Sequence, residues 1–97
     1  MKVSVRYFTS LREILNNKEE TLEFPDEEKV TLDKVLETLS QTHGKKFIDY
    51  VYNGKTREVK GFLQFLINGK SASTLNGLQT ELNDGDVLAI LPPVGGG

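Results

Sequence analysis

Apolar residues recur at every second position near the start of the chain and at helical spacing further on, and the change of period marks the elements. Val3, Val5 and Tyr7 alternate with Ser4 and Arg6, which predicts a half-buried strand over Lys2 to Phe8, with Phe8 breaking the alternation. Ser10 and Glu13 stand at capping-box spacing, so a short helix is expected over Thr9 to Leu15. Glu20 to Phe24 alternates again and stops at Pro25, giving a second strand that pairs with the first as a hairpin. Leu32, Val35, Leu36 and Leu39 then fall at i, i+3, i+4 and i+7, the stripe of a main helix with Thr31 as its N-cap and Gly44 as its stop. Phe47, Ile48, Tyr50 and Val51 predict a further short helix over Lys45 to Val51, ended by Asn53-Gly54. Lys55 to Gly61 is polar and reads as a mobile loop, with a docking element as the alternative.

Phe62 to Ile67 resumes strand character, and Asn68-Gly69 is a strong hairpin dipeptide that returns the chain through Lys70-Ser71-Ala72. Leu75, Leu78 and Leu82 are expected to anchor the irregular stretch that follows. The turn Asp84-Gly85-Asp86 leads into Val87 to Leu91, an uninterrupted aliphatic run that reads as a strand buried on both faces. This order predicts an α+β domain, a mixed sheet with its helices on one face. The first and last strands can lie parallel, because the main helix supplies the crossover that parallel pairing requires. The last strand is then central.

Two prolines end that strand. Pro92 and Pro93 lack the ladder donor and fix φ, so they turn the backbone out of the sheet as a stiff extended segment. Gly95, Gly96 and Gly97 carry no side chain and fit a slot too narrow for other residues. A glycine-rich end by itself reads as a frayed terminus. The order of strand, Pro-Pro, Val94 and glycines argues for a tail presented on a rigid base, ending in a free carboxylate. The expected division is therefore a folded domain over residues 1–92 and a flexible glycine tail over 93–97.

Composition removes many chemistries. With no cysteine among 97 residues, disulfides, thiolate metal sites and cysteine nucleophiles are excluded, and His43 as the single histidine excludes a histidine-based triad or multi-histidine metal site. If the chain carries sulfur or a thioester, its side of that bond is the terminal carboxyl. A net charge of −2 gives no basic footprint for direct nucleic-acid binding. No apolar run approaches the roughly 20 residues needed to span a bilayer, and Met1-Lys2 leads straight into strand pattern, so no membrane segment is expected and a cytoplasmic location is. The glycines follow prolines instead of opening a helix, so no phosphate-cradling loop is present. Asp84 and Asp86 flank a turn glycine, which explains them without catalysis. His43 reads as a helix-end residue favoured by the macrodipole. Arg12 reads as a solvated charge or as a group orienting the tail or a partner carboxylate, and Lys45, Lys46 and Lys60 as solubilising side chains or conjugation acceptors.

Gly85-Asp86, the apolar strand, Pro92-Pro93-Val94 and Gly96-Gly97 together resemble the end of the ubiquitin-like sulfur carriers of the MoaD and ThiS type, which include the small subunit of molybdopterin synthase. The resemblance extends to Val3 through Phe8, to Leu11-Arg12-Glu13 and to Ile67-Asn68-Gly69, and is poorest between Gly44 and Gly61. It implies a β-grasp fold, a mixed sheet of four to five strands covered by one main helix and short helices. It implies a carrier, with no cofactor or metal of its own, served by an E1-like adenylating enzyme that consumes ATP. Gly97 would be adenylated, with Gly95 and Gly96 threading into the activating site. The activated glycine would then become a thiocarboxylate for sulfur transfer or be joined to lysines of target proteins, as in the ubiquitin-related modifiers. A dedicated molybdopterin synthase small subunit, working with the large subunit, and an inert β-grasp interaction module are the alternatives. By motif position Phe8 and Leu91 match family residues that contact partners. Leu66 joins them because Leu63, Phe65 and Ile67 take the opposite face, and Pro92 and Pro93 continue the same surface. The competing reading makes Phe8, Leu66 and Leu91 core residues.

Overall fold

A computed structural model describes residues 1–92 and gathers five strands into one sheet. These are β1 (Lys2–Tyr7), β2 (Glu19–Glu23), β3 (Gln64–Ile67), β4 (Lys70–Ser71) and β5 (Val87–Leu91), in the order β2-β1-β5-β3-β4. β1 and β5 pair in parallel, and every other pairing is antiparallel. The last strand is therefore central, as its aliphatic run predicts. Three helices complete the domain: α1 (Thr9–Leu15), α2 (Leu32–His43) and α3 (Lys45–Val51), with single 3-10 turns at Ala72–Thr74 and Gly77–Gln79. The β-grasp arrangement expected from the order of elements is the one observed. Pro93, Gly95, Gly96 and Gly97, and with them the expected flexible tail, lie outside the described residues.

α2 forms where its stripe and caps agree. Thr31 is extended and its Oγ1 accepts the Lys34 backbone N–H at 3.2 Å, satisfying one orphan donor. Leu32, Val35, Leu36 and Leu39 are fully buried against the sheet. Gly44 ends the helix at φ 73° and ψ −147°, a conformation that is costly for any residue with a Cβ, and α3 starts at once in a new direction. The core joins this stripe to Val3, Val5, Tyr7, Leu88 and Ile90 from the central strands, Phe65 and Ile67 from β3, and Phe47 and Val51 from α3.

Several local expectations are corrected. α1 starts two residues earlier than a cap at Ser10 requires, so Phe8 is its N-cap and no side chain caps it. Ser10 sits inside the helix, where its hydroxyl meets the Tyr50 hydroxyl at 2.7 Å and ties α1 to α3. β3 begins at Gln64; Leu63 is still in a turn, its N–H bonded to the Lys60 carbonyl, and Phe62 is 56% exposed. Ala72 enters a 3-10 turn instead of extending β4. Of the three leucine anchors, Leu82 is buried and Leu78 packs on the core, but Leu75 is 47% exposed because it follows a 3-10 turn that faces it outward. The segment after α3 doubles back, with Asn53 Oδ1 accepting the N–H groups of Lys55 and Thr56 and a β-bridge from Tyr52 to Val59.

The largest correction concerns β5, which is not buried on both faces. Leu88 and Ile90 are buried, whereas Val87, Ala89 and Leu91 are only half-buried. The helices pack against one face of the sheet, so alternate residues of even the central strand look outward. A run of aliphatic residues does not by itself distinguish a two-sided core strand from a strand with one apolar face left open.

Candidate functional site

The open face is assembled by register. β1 presents Ser4 and Arg6, β5 presents Val87, Ala89 and Leu91, and β3 presents Gln64 and Leu66. Ala89 lies between Arg6 and Leu66, Val87 is beside Ser4, and Leu91 is beside Gln64. Phe8 remains extended, with φ −130° and ψ 151°, so the strand direction of β1 persists for one more residue. Since Tyr7 pairs with Ile90, the same register brings Phe8 level with Leu91. Three of the predicted partner residues, Phe8, Leu66 and Leu91, thus share the outward face and are half-buried, so none is a closed core residue. Pro92, also half-buried, follows directly and ends the ladder. Pro93 lies beyond the described residues.

The entry to β5 is fixed by a closed set of hydrogen bonds. Gly85 turns the chain at φ 86° and donates its N–H to the Lys2 carbonyl at 2.8 Å. Asp84 Oδ1 accepts the Lys2 N–H at 2.6 Å, and Asp86 accepts from Asn68 Nδ2 at 2.9 Å and from the Asn83 N–H at 2.7 Å. Asn68 Oδ1 in turn accepts the Val87 N–H at 2.9 Å. Both aspartates are consumed in seating the strand, which is the turn role expected of them. The hairpin dipeptide has a second function that its turn signal does not reveal: its asparagine side chain locks β5 against β3.

Other candidates separate in space. Arg12 is exposed on α1 and has no ion pair among the described residues. Lys45 pairs with Asp49 at 3.1 Å, and Lys60 Nζ donates to the Asp49 carbonyl at 2.8 Å while lying 5.9 Å from the Phe62 ring centre. Lys46 is exposed. No cluster of three or more potential metal ligands occurs among the described residues, and none of their helices is long and apolar enough to cross a membrane.

One constellation escaped sequence reasoning. His43 Nε2 lies 2.6 Å from Glu20 Oε2, and the same oxygen accepts the Tyr7 hydroxyl at 2.6 Å. The His43 ring meets Tyr7 edge-on at 6.2 Å. Burial, reinforced by the bond to Glu20, pushes the Tyr7 hydroxyl well above its ordinary range. His43 is therefore more than a helix-end charge: it joins α2 to β1 and β2 across the rim of the core. The sequence carried a signal, since Glu20 stands two residues before Leu22 in the alternation and so points inward, where a carboxylate needs partners.

The ThiS family model matches residues 5–97, nearly the whole chain. The chain belongs to the ThiS family. Among curated relatives of this ThiS-family chain, small archaeal modifier protein 3 of Haloferax volcanii is 30% identical over 97 residues, covering 100% of both chains. A putative sulfur carrier protein of Archaeoglobus fulgidus is 33% identical over 72 residues, 74% of this chain and 80% of the relative. The solution structure of small archaeal modifier protein 1 from Methanosarcina acetivorans superposes with a TM-score of 0.79 at 33% identity, covering 99% of this chain and 96% of that one. The ThiS-family match includes the Gly44 to Gly61 segment and the terminal glycines, so the tail motif and the β-grasp body belong to one family unit. Ubiquitin-like sulfur carriers and modifiers are the class into which the chain falls.

Proposed function

We propose that this chain is a sulfur carrier and protein modifier whose terminal Gly97 is activated by a separate E1-like adenylating enzyme. The observation that carries the proposal is the half-exposed apolar strip of Phe8, Leu66, Ala89 and Leu91 on the open face of the sheet, running straight into Pro92. A surface of this kind, at the root of the tail, suits a partner that must hold the body while reaching the terminus. The chain is the acyl donor and the partner supplies the catalysis.

A terminal carboxylate is ionised at neutral pH and is a poor electrophile. Its oxygen attacks the α-phosphorus of ATP and releases pyrophosphate, leaving an acyl-adenylate at Gly97. A sulfide-level sulfur nucleophile then displaces AMP to give a thiocarboxylate, or a lysine amine displaces AMP to give an isopeptide. Gly95 and Gly96 carry no side chain to obstruct a narrow approach to the activating site, and Pro92 ends the sheet ladder before them. The nucleotide belongs to the partner, and the whole cycle takes place in the cytoplasm.

The test is incubation of the purified chain with ATP and the E1-like enzyme of the source organism, read by intact mass. Gain of AMP, followed with a sulfur donor by replacement of one oxygen by sulfur, is the expected result. No adduct at all marks an inert interaction module and overturns the proposal. Conversion of precursor to molybdopterin with a purified large subunit would narrow the role to a synthase subunit, and a ladder of lysine adducts in lysate would establish modification.

A further inference from the structure

A groove runs along the flank of the open face, between α1 and the start of β2. It consists of two adjoining hollows of about 580 and 250 Å³ that share Arg12 and Lys18 in their walls. The smaller hollow reaches Phe8 and Arg6, so the groove opens onto the apolar strip beside the tail root. Its charges are uneven. Arg6 is engaged by Glu19, at 3.5 Å across the β1–β2 pair. Arg12 and Lys18 are exposed and form no ion pair with any described residue, and Glu13 is the remaining acid in the wall. In a chain of net charge −2, this is a local surplus of positive charge at the point where a partner must approach.

We propose that this groove docks an acidic segment of the activating partner, its carboxylates seated on Arg12 and Lys18. The proposal rests on the reading of the apolar strip as the partner's grip and adds how that partner is aligned. An apolar strip is tolerant of rotation, whereas two cations on one flank select a single bearing and draw an acidic surface in from a distance. The guanidinium of Arg12 presents a planar fork suited to a carboxylate, and Lys18 adds a point charge beside it. The backbone of the groove is already fixed without these side chains: the Arg12 and Glu13 carbonyls accept the N–H groups of Asn17 and Asn16, closing α1.

The test measures association of the purified chain with the E1-like adenylating enzyme of the source organism by stopped-flow at low and moderate salt. For the double substitution Arg12→Glu and Lys18→Glu, association at low salt should slow by about tenfold or more, with most of its salt dependence lost and dissociation little changed. The conservative pair Arg12→Lys and Lys18→Arg should retain most of the rate, and circular dichroism should report an unchanged fold for both. Association of the reversed variant at the wild-type rate, with the wild-type salt dependence, overturns the groove while leaving the carrier function standing. A faster reversed variant also overturns it, since the groove would then be holding the chain's own terminal carboxylate. Failure of the wild-type chain to associate at all sinks both proposals together.

Discussion

The two faces of the sheet are built from the same strands and differ in everything else. Val3, Val5, Tyr7, Phe65, Ile67, Leu88 and Ile90 look toward α2 and α3 and are buried. Their immediate neighbours Ser4, Arg6, Leu66, Val87, Ala89 and Leu91 look outward and remain at least partly accessible. An uncovered sheet face normally reads polar, because nothing in folding requires otherwise. β1 follows that rule with Ser4 and Arg6, whereas β5 breaks it at every outward position. The closed face is explained by stability. The apolar part of the open face is not, which is why it points to a partner.

Substitution on the two faces should separate these roles. Leu88→Ala removes a fully buried side chain from the centre of the closed face and should cost about 2–5 kcal/mol, read as a lowered urea midpoint. Against a typical total of about 5–15 kcal/mol, that is enough to leave part of the population unfolded. A cost near zero would mean that the central strand is not the core of the domain.

Tyr7 tests the closed face where it turns polar. Tyr7→Phe keeps the ring and removes the hydrogen bond to Glu20, which retains His43, so a loss of about 1–2 kcal/mol is expected at neutral pH. The sign of its pH dependence follows from the raised hydroxyl. Below the ordinary value of 10.0 the phenol is protonated in both the folded and unfolded chain, and the bond contributes fully. Above it the unfolded phenol ionises while the folded one keeps its proton, so the contribution falls as pH rises through the folded value. The stability difference between wild type and Tyr7→Phe should therefore shrink above pH 10, and Tyr50 and Tyr52, common to both proteins, cancel. A difference that grows there would refute the Glu20 bond.

Most of this architecture was legible because the closed face writes itself into the sequence. Period-2 alternation in Val3-Val5-Tyr7 and the α2 stripe both record burial, and burial decides the fold. Thr31 and Gly44 were legible as caps because their local chemistry acts within one turn. What stayed hidden depends on distance in the chain. The Tyr7–Glu20–His43 cluster needs three elements to meet, and the second role of Asn68 appears only when β5 lies beside it. The openness of Val87, Ala89 and Leu91 could not be read from their own run, since it depends on there being no second helical layer among the described residues. Motif position and the parity of β3 single out Phe8, Leu66 and Leu91 as candidate partner contacts, and the register of the sheet brings these three onto one face.

On the open face the order of effects should invert. Leu66→Ser or Leu91→Ser removes a half-exposed side chain, so each should cost about 1 kcal/mol of stability or less. Loading by the activating enzyme should nevertheless fall about tenfold for each, as expected for an anchor worth about 1.4 kcal/mol of binding. Measured side by side, urea midpoints and loading rates should rank Leu88→Ala and Leu66→Ser in opposite order. A Leu66→Ser protein with wild-type loading would return this face to mere tolerated exposure.

The smallest stability effect should come from Glu19→Gln. Glu19 and Arg6 face each other across β1 and β2 at 3.5 Å, but their side chains are 64% and 57% exposed, so water screens the pair. Exposed pairs of this kind contribute about 0–1 kcal/mol, and the urea midpoint should scarcely move. Its effect on association should be visible all the same. Removing the Glu19 charge frees Arg6 and deepens the positive surplus in the groove it lines, so loading at low salt should become faster and more salt-dependent. Slower loading would indicate that the Arg6–Glu19 pair itself forms part of the docking surface, and that the positive groove does not act through net charge.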